Sequence, residues 1–166
     1  MADEQSDIIM MITGVTGESK KDQKDGYMDL MSWNWSVSQA GTGREGRGQA
    51  GGKASAGDFT IVKKTDVASP TLMLFVSGGA HIDTIELYCR KTVNKTTKDY
   101  IWITLKQCML SSFSTGGHMS AAAEVAETFS INFAAITFRT RYIDEDGNEG
   151  SWVEYEWSFR EVKQVA

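Results

Sequence analysis

Apolar residues along this chain recur mostly at every second position, the spacing of a strand with one buried face, and a 3.6-residue spacing is confined to one short place. The fold class this predicts is mainly β. From Tyr27 to Val37 the odd positions Tyr27, Met31, Trp33, Trp35 and Val37 are large while Ser32, Asn34 and Ser36 lie on the other face, so one buried and one wetter side are expected. Tyr100 to Leu110 alternates less cleanly, with Ile101, Ile103 and Leu105 opposite Trp102 and Thr104, which predicts partial cover on both faces. Phe129, Ile131 and Phe133 share one face of a further strand. Val153, Tyr155, Trp157 and Phe159 share the buried face of another, opposite Glu154, Glu156, Ser158 and Arg160. Shorter strands fit Ile8 to Thr13, Asp58 to Lys64, His81 to Lys91 and Ile136 to Tyr142.

One helix is expected, from Ser69-Pro70 through Val76. Ser69 suits the N-cap, Pro70 the first helical position, and Gly78-Gly79 a left-handed stop. Between Tyr142 and Trp152 the run Asp144-Glu145-Asp146-Gly147-Asn148 supplies residues that tolerate positive φ and should close a hairpin. Eight or so strands and one helix point to a closed or nearly closed β-barrel, since closure removes the exposed edges of long strands.

Composition narrows the function classes. With 166 residues, 41% hydrophobic and 23% charged, the chain fits one ordinary globular domain, 1–166. A net charge of -5 without a basic block argues against nucleic acid as partner. Lys20-Lys21 and Lys63-Lys64 are the densest cationic spots, and with acidic neighbours they read as solvated strand ends. The start is acidic and only Ile8 to Ile12 are continuously apolar, which makes no signal peptide; Leu72 to Val76 is far too short for a bilayer, so no membrane insertion is expected. Cytoplasmic synthesis follows, with any export needing a route that reads no N-terminal signal. Cys89 and Cys108 sit in apolar-patterned strands and read as buried thiols. Seven of the sixteen glycines fall between Gly41 and Gly57.

Reaction chemistry finds little support. Gly14-Val-Thr-Gly17-Glu-Ser-Lys20 has two residues between its glycines where a phosphate loop needs four, and no helix follows. Asp144-x-Asp146-Gly147 resembles part of a calcium loop, but counted from Asp144 the sixth position is Glu149 and the twelfth Tyr155. His81 and His118 have no metal-like spacing to each other or to Cys89 and Cys108. No elbow of the Gly-x-Ser-x-Gly kind marks a nucleophile. Neither an enzyme, nor a metal, nor a cofactor is expected.

A series of fragments in order carries a resemblance. It runs through Gly17-Glu18-Ser19, the Tyr27-to-Trp35 strand with its Trp-x-Trp, the Gly-rich insertion, Asp58-Phe59-Thr60-Ile61-Val62-Lys63-Lys64 and Asp66-x-Ala68-Ser69-Pro70-x-Leu72. It continues through Gly79-x-His81-Ile82, Tyr100-x-x-Ile103-Thr104-Leu105, Ser111-Ser112-x-Ser114-Thr115-Gly116-Gly117 and Glu127-x-Phe129-Ser130-Ile131-Asn132-Phe133. From about Ile8 to Glu161 the chain resembles the haemolysin-coregulated protein (Hcp) family, the tube subunit of the bacterial type VI secretion system.

That resemblance implies a small two-sheet β-barrel with one flanking α-helix, assembled with copies of itself as homohexameric rings that stack into a hollow tube. It further implies a spike protein and a contractile sheath as partners, effector proteins in the lumen, and secretion through the type VI apparatus. The Gly41-to-Gly57 stretch becomes the extended loop that reaches a neighbouring subunit or the next ring. Its glycines suit close backbone approach and equally a loop disordered in a free subunit. Arg44, Glu45, Arg47 and Lys53 are its candidate contacts, and the loop of Gly17, Glu18, Ser19 and Lys20 is the second. The alternative is a stand-alone binding barrel or an effector with an added domain; the chain stops at Ala166, five residues after Glu161, which leaves no room for a toxin extension.

Overall fold

The computed structural model describes residues 5–21, 24–41, 53–119, 124–161 and 163–164. In chain order the elements are β1 (Gln5–Ile12), β2 (Met28–Asp29), β3 (Ser32–Asn34), β4 (Val37–Gln39), β5 (Ala54–Ala56) and β6 (Phe59–Lys64), then α1 (Ser69–Gly78), β7 (Ile82–Val93), β8 (Thr96–Thr115), β9 (Ala126–Thr140) and β10 (Val153–Ser158). Eight strands form one sheet in the order β2-β1-β7-β8-β9-β6-β3, with β10 also on β9, while β4 and β5 make a separate pair.

The two ends of that order are neighbours in sequence. Between β2 and β3 the Leu30 N–H donates to Ile8 O at 2.9 Å and the Met31 N–H to Val62 O at 2.8 Å. The stretch thus leaves β1 and joins β6, and the sheet closes on itself, with β10 paired to the Ala135–Thr140 part of β9 and β6 to its Ala126–Ile131 part. Closure gives nearly every barrel strand a partner on both edges.

This seam corrects one expectation. The Tyr27-to-Val37 run is not a single alternating strand but three short ones, β2, β3 and the start of the arm. Met28 is buried, Trp33 and Trp35 are half-buried, and Met31 and Val37 are exposed. Changing partner at Leu30-Met31 turns the opposite set of side chains inward, so one period cannot hold across it.

A similar switch crosses three long strands at one level. Inward positions pass from Ile82 to Ile85 in β7, from Leu105 to Cys108 in β8 and from Phe133 to Ile136 in β9. The registers Ile82↔Cys108, Ile85↔Leu105, Cys108↔Phe133 and Leu105↔Ile136 align the three shifts. Gln107 at the centre has φ 52°, a left-handed backbone that a flat strand never uses. The sheet bends along this line, and the two halves present different outward faces. The shift also explains why Phe129–Phe133 and Ile136–Tyr142 read as two strands; they are one, β9.

Inside, Met10, Ile12, Met28, Phe59, Ile61, Leu72, Ile85, Leu87, Ile103, Leu105, Phe129 and Ile131 form one continuous apolar core, with Cys89 and Cys108 in it as free thiols. Trp33 stacks on Phe59 and donates its Nε1–H to Cys89 Sγ at 3.3 Å. On β10 the expected buried face is covered only at one end. Val153 is 69% exposed, whereas Trp157 and Phe159 pack against the core.

Helix α1 crosses from the end of β6 to the start of β7 and packs on β8. Gly79 stops it in the left-handed region at φ 61°, its N–H on Val76 O and the Ala80 N–H on Phe75 O. Its start differs from expectation. Ala68, not Ser69, is the N-cap, and the Asp66 carboxylate takes the Ala68 N–H at 2.9 Å. Ser69 Oγ is occupied elsewhere, accepting from the Asp66 N–H and donating to Glu127. Beyond β9 the expected hairpin forms: Asp144 accepts the Asp146 and Asn148 N–H groups and the Asn148 side-chain amide, with Gly147 at φ 86°. These bonds, first of all that from the Asn148 amide, hold the Asp144 carboxyl below the usual carboxylate range.

Lys63 overturns the solvated reading of the Lys63-Lys64 pair. Lys64 is exposed, but Lys63 is 0% exposed. It lies on the same strand face as Phe59 and Ile61, directly opposite Glu127 of β9, so both chains point inward.

Candidate functional site: the assembly surfaces

The first loop is held by its own backbone. Gly17 donates to Gly26 O at 2.7 Å and Ser19 to Tyr27 O at 2.8 Å, while Gly26 donates back to Ser19 O. A Cβ on Gly17 would stand 2.4 Å from Tyr27 O, so only glycine fits against that strand. Gly17 and Ser19 are therefore interior residues of the loop, and Glu18 and Lys20 are the two that face outward. Glu18 Oε1 accepts the Val67 N–H at 3.1 Å, tying this loop to the approach of α1.

Strands β4 and β5, which flank most of the Gly-rich stretch in sequence, form a short arm. β4 and β5 pair antiparallel with Val37 opposite Ala56 and Gln39 opposite Ala54, so the last residues of the expected loop are strand. Arg44, Glu45 and Arg47 lie outside the described residues; Lys53 is exposed beside β5. The arm's base is gripped where the Gly57 N–H donates to Ser36 O and Trp35 meets Phe133 and Tyr155. Among the described residues β4 and β5 pair only with each other.

Either side of the bend the outward faces differ. Toward Thr115 the cross-strand rows read Asn34, Thr60, Ser130, Ser112 and Ser32, Val62, Thr128, Ser114, all short and uncharged. Asp58 stands at the margin, accepting Ser111 Oγ at 2.7 Å and Asn132 Nδ2 at 3.1 Å. Toward Asn94 the rows read Tyr88, Trp102, Arg139, Glu154 and Glu86, Thr104, Thr137, Glu156. There Tyr88 stacks on Trp102, the Arg139 guanidinium lies 4.2 Å above the indole, and Arg139 Nε is 2.6 Å from Glu154. At the bend itself Asp83, Lys106, Gln107, Glu156 and Arg160 line a groove of about 440 Å³.

None of this assembles reaction chemistry. His81 is exposed and meets Asp83 at 3.1 Å. Among the described residues no group of three His, Cys, Asp or Glu side chains could hold a metal. Burial pushes the Cys89 and Cys108 thiols up, Cys108 to about 12, away from the thiolate a nucleophile needs.

Residues 9–139 match the family model described as type VI secretion system effector, Hcp. The chain belongs to the Hcp family. It is 33% identical over 160 residues to protein hcp1 of Pseudomonas aeruginosa, covering 96% of this chain and 98% of that one. Its fold is similar to that of Hcp1 from Salmonella typhimurium, with a TM-score of 0.79 at 25% identity over 99% of this chain and 100% of the other. A solved type six secretion system protein gives a TM-score of 0.89 at 21% identity, covering 97% of this chain and all of its own. The mainly β barrel with one flanking helix is thus an Hcp fold.

Sequence reasoning missed two features of this Hcp chain. The four residues Lys63, Asp66, Ser69 and Glu127 all stand in the fragments that carried the resemblance, yet their convergence was hidden by the sequence separation of 64 between Lys63 and Glu127. The signal that could have exposed it was the alternation Phe59, Ile61, Lys63, which puts the lysine on the core face. The aromatic-cation row was hidden because Tyr88, Trp102 and Arg139 come from three strands.

Proposed function

We propose that this chain is a structural subunit of the type VI secretion inner tube. Copies close into hexameric rings, the rings stack into a hollow tube, and sheath contraction expels the tube behind its spike with effectors in the lumen. The observation that carries this reading, beside family membership, is the β4–β5 arm. A two-stranded pair is marginal in water, and β4 and β5, which among the described residues form a sheet of their own, gain cover when a second copy lies against them. Lys53 beside β5 and, between β4 and β5 in sequence, Arg44, Glu45 and Arg47, with Glu18 and Lys20 on the first loop, are its proposed contacts. Gly17 and Ser19 act by shaping that loop.

One feature of the surface suits a tube. The uncharged rows toward Thr115 suit a lumen wall, since between Asp58 and Lys64 at their margins they give passing cargo no strong site at which to stick.

Size-exclusion chromatography with light scattering, followed by negative-stain electron microscopy, tests the reading. Hexamer mass and ring images are expected. A strict monomer at high concentration with no rings overturns it.

A further inference from the structure

A fully buried lysine in a small barrel needs an account, because an ammonium leaves water only where partners replace its hydration. Lys63 Nζ is 2.6 Å from Glu127 Oε1, 2.8 Å from Asp66 Oδ1, 2.8 Å from Lys64 O and 3.4 Å from Ser69 Oγ. Glu127, 1% exposed, also accepts Ser69 Oγ at 2.6 Å on Oε1 and Thr65 Oγ1 at 3.1 Å on Oε2. The cluster joins three elements: Lys63 from β6, Glu127 from β9, and the Thr65–Ser69 turn that opens α1.

Apart from this cluster and the bond from the Val67 N–H to Glu18, the helix is held by apolar packing. Its fully buried apolar anchors are Ala68 at the cap and Leu72, with Phe75 and Val76 partly covered. On its outer side Met73 and Leu74 are exposed, Leu74 at 68%. A ten-residue helix is unstable alone, so α1 exists by virtue of docking. The barrel does not need it for closure, since beyond the Thr65 N–H, which donates to Val125 O at 2.9 Å, the strand pairing lies outside residues 66–80.

We propose that the Lys63–Glu127–Asp66–Ser69 cluster is a latch that fastens α1 to an already closed barrel, so that the helix docks and releases as a unit separate from the strands. The latch is all-or-none because its parts depend on one another. Loss of the lysine leaves Glu127 buried without its cation, and Ser69 then tethers the helix start to an uncompensated charge. Release uncovers the seat of Leu72 and frees the chain between β6 and β7. The proposal stands on this subunit alone and does not depend on the tube reading.

Hydrogen exchange followed by mass spectrometry on the full chain tests it, using Lys63→Met, Glu127→Gln and the double variant Lys63→Met/Glu127→Leu. In Lys63→Met, amides of residues 72–80 are expected to exchange at least about 100-fold faster, with β7, β8 and β9 within about threefold of wild type. Glu127→Gln should show the same selectivity at about tenfold. The double variant, which replaces the pair by apolar groups, should regain most of the protection. Equal acceleration of helix and strands, or no acceleration in Lys63→Met, overturns the latch. If Lys63→Met does not fold, the selectivity of Glu127→Gln decides in the same way.

Discussion

Cys108 sits where β8 bends, 1% exposed, and burial pushes its thiol up to about 12. A raised pKa means that the folded state holds the proton more tightly than the unfolded chain. Its stabilising share is therefore present below the unfolded thiol value of about 8.5 and is lost as pH rises from there toward 12. Iodoacetamide at pH 8.5 should accordingly leave Cys108 unmodified in the native protein and alkylate it readily in urea, as peptide mass spectrometry will show; rapid native alkylation would contradict the buried site. The burial of both cysteines was legible in the sequence because each lies in an apolar alternation. Lys63 was not, because residue type pointed to solvent while strand parity pointed to the core, and only the partner Glu127, supplied by β9, reverses the preference.

Among the elements, the β7–β8 hairpin carries a cost that its sequence leaves in place. Val93 pairs with Thr96, so the loop is the two residues Asn94 and Lys95, at φ 51° and 65°. Both central positions of such a turn need a left-handed backbone. Asn tolerates it, whereas lysine there carries about 1–2 kcal/mol of strain that glycine avoids, less the extra backbone entropy glycine loses. Lys95→Gly should raise stability by up to about 1 kcal/mol, read as a higher urea midpoint at unchanged slope; a lower midpoint would refute the strain. Elements of this kind were legible wherever one period ran without interruption, as in β6, α1 and the turn after β9. They were misread where the chain changes partner at Leu30-Met31, or where three strands shift inward parity together at Ile82–Ile85, Leu105–Cys108 and Phe133–Ile136. Such shifts are set by curvature of the whole sheet, and each strand alone shows only a broken alternation.

For the whole molecule, charge distribution gives the arm a direction. Residues 41–57 hold Arg44, Arg47 and Lys53 against Glu45, hence +2, in a chain of net charge -5, so the remainder carries -7. An arm at +2 and a body at -7 attract between copies as well as within one, and at the roughly 8 Å screening length of physiological salt that attraction acts only on contact. Arg44→Glu with Arg47→Glu converts residues 41–57 to -2 and, on the proposed tube reading, replaces attraction to a neighbour by repulsion, while neither residue belongs to the described core or ladders. The double variant is expected to keep its circular dichroism spectrum and thermal midpoint, to form fewer and shorter tubes by electron microscopy, and to reach the medium in lower amount. Raising salt should weaken wild-type stacking in the same direction, because screening removes the same attraction. Tubes of unchanged length and number in the variant would remove the arm's cations from the contact and leave Glu18 and Lys20 of the first loop as the remaining charged candidates.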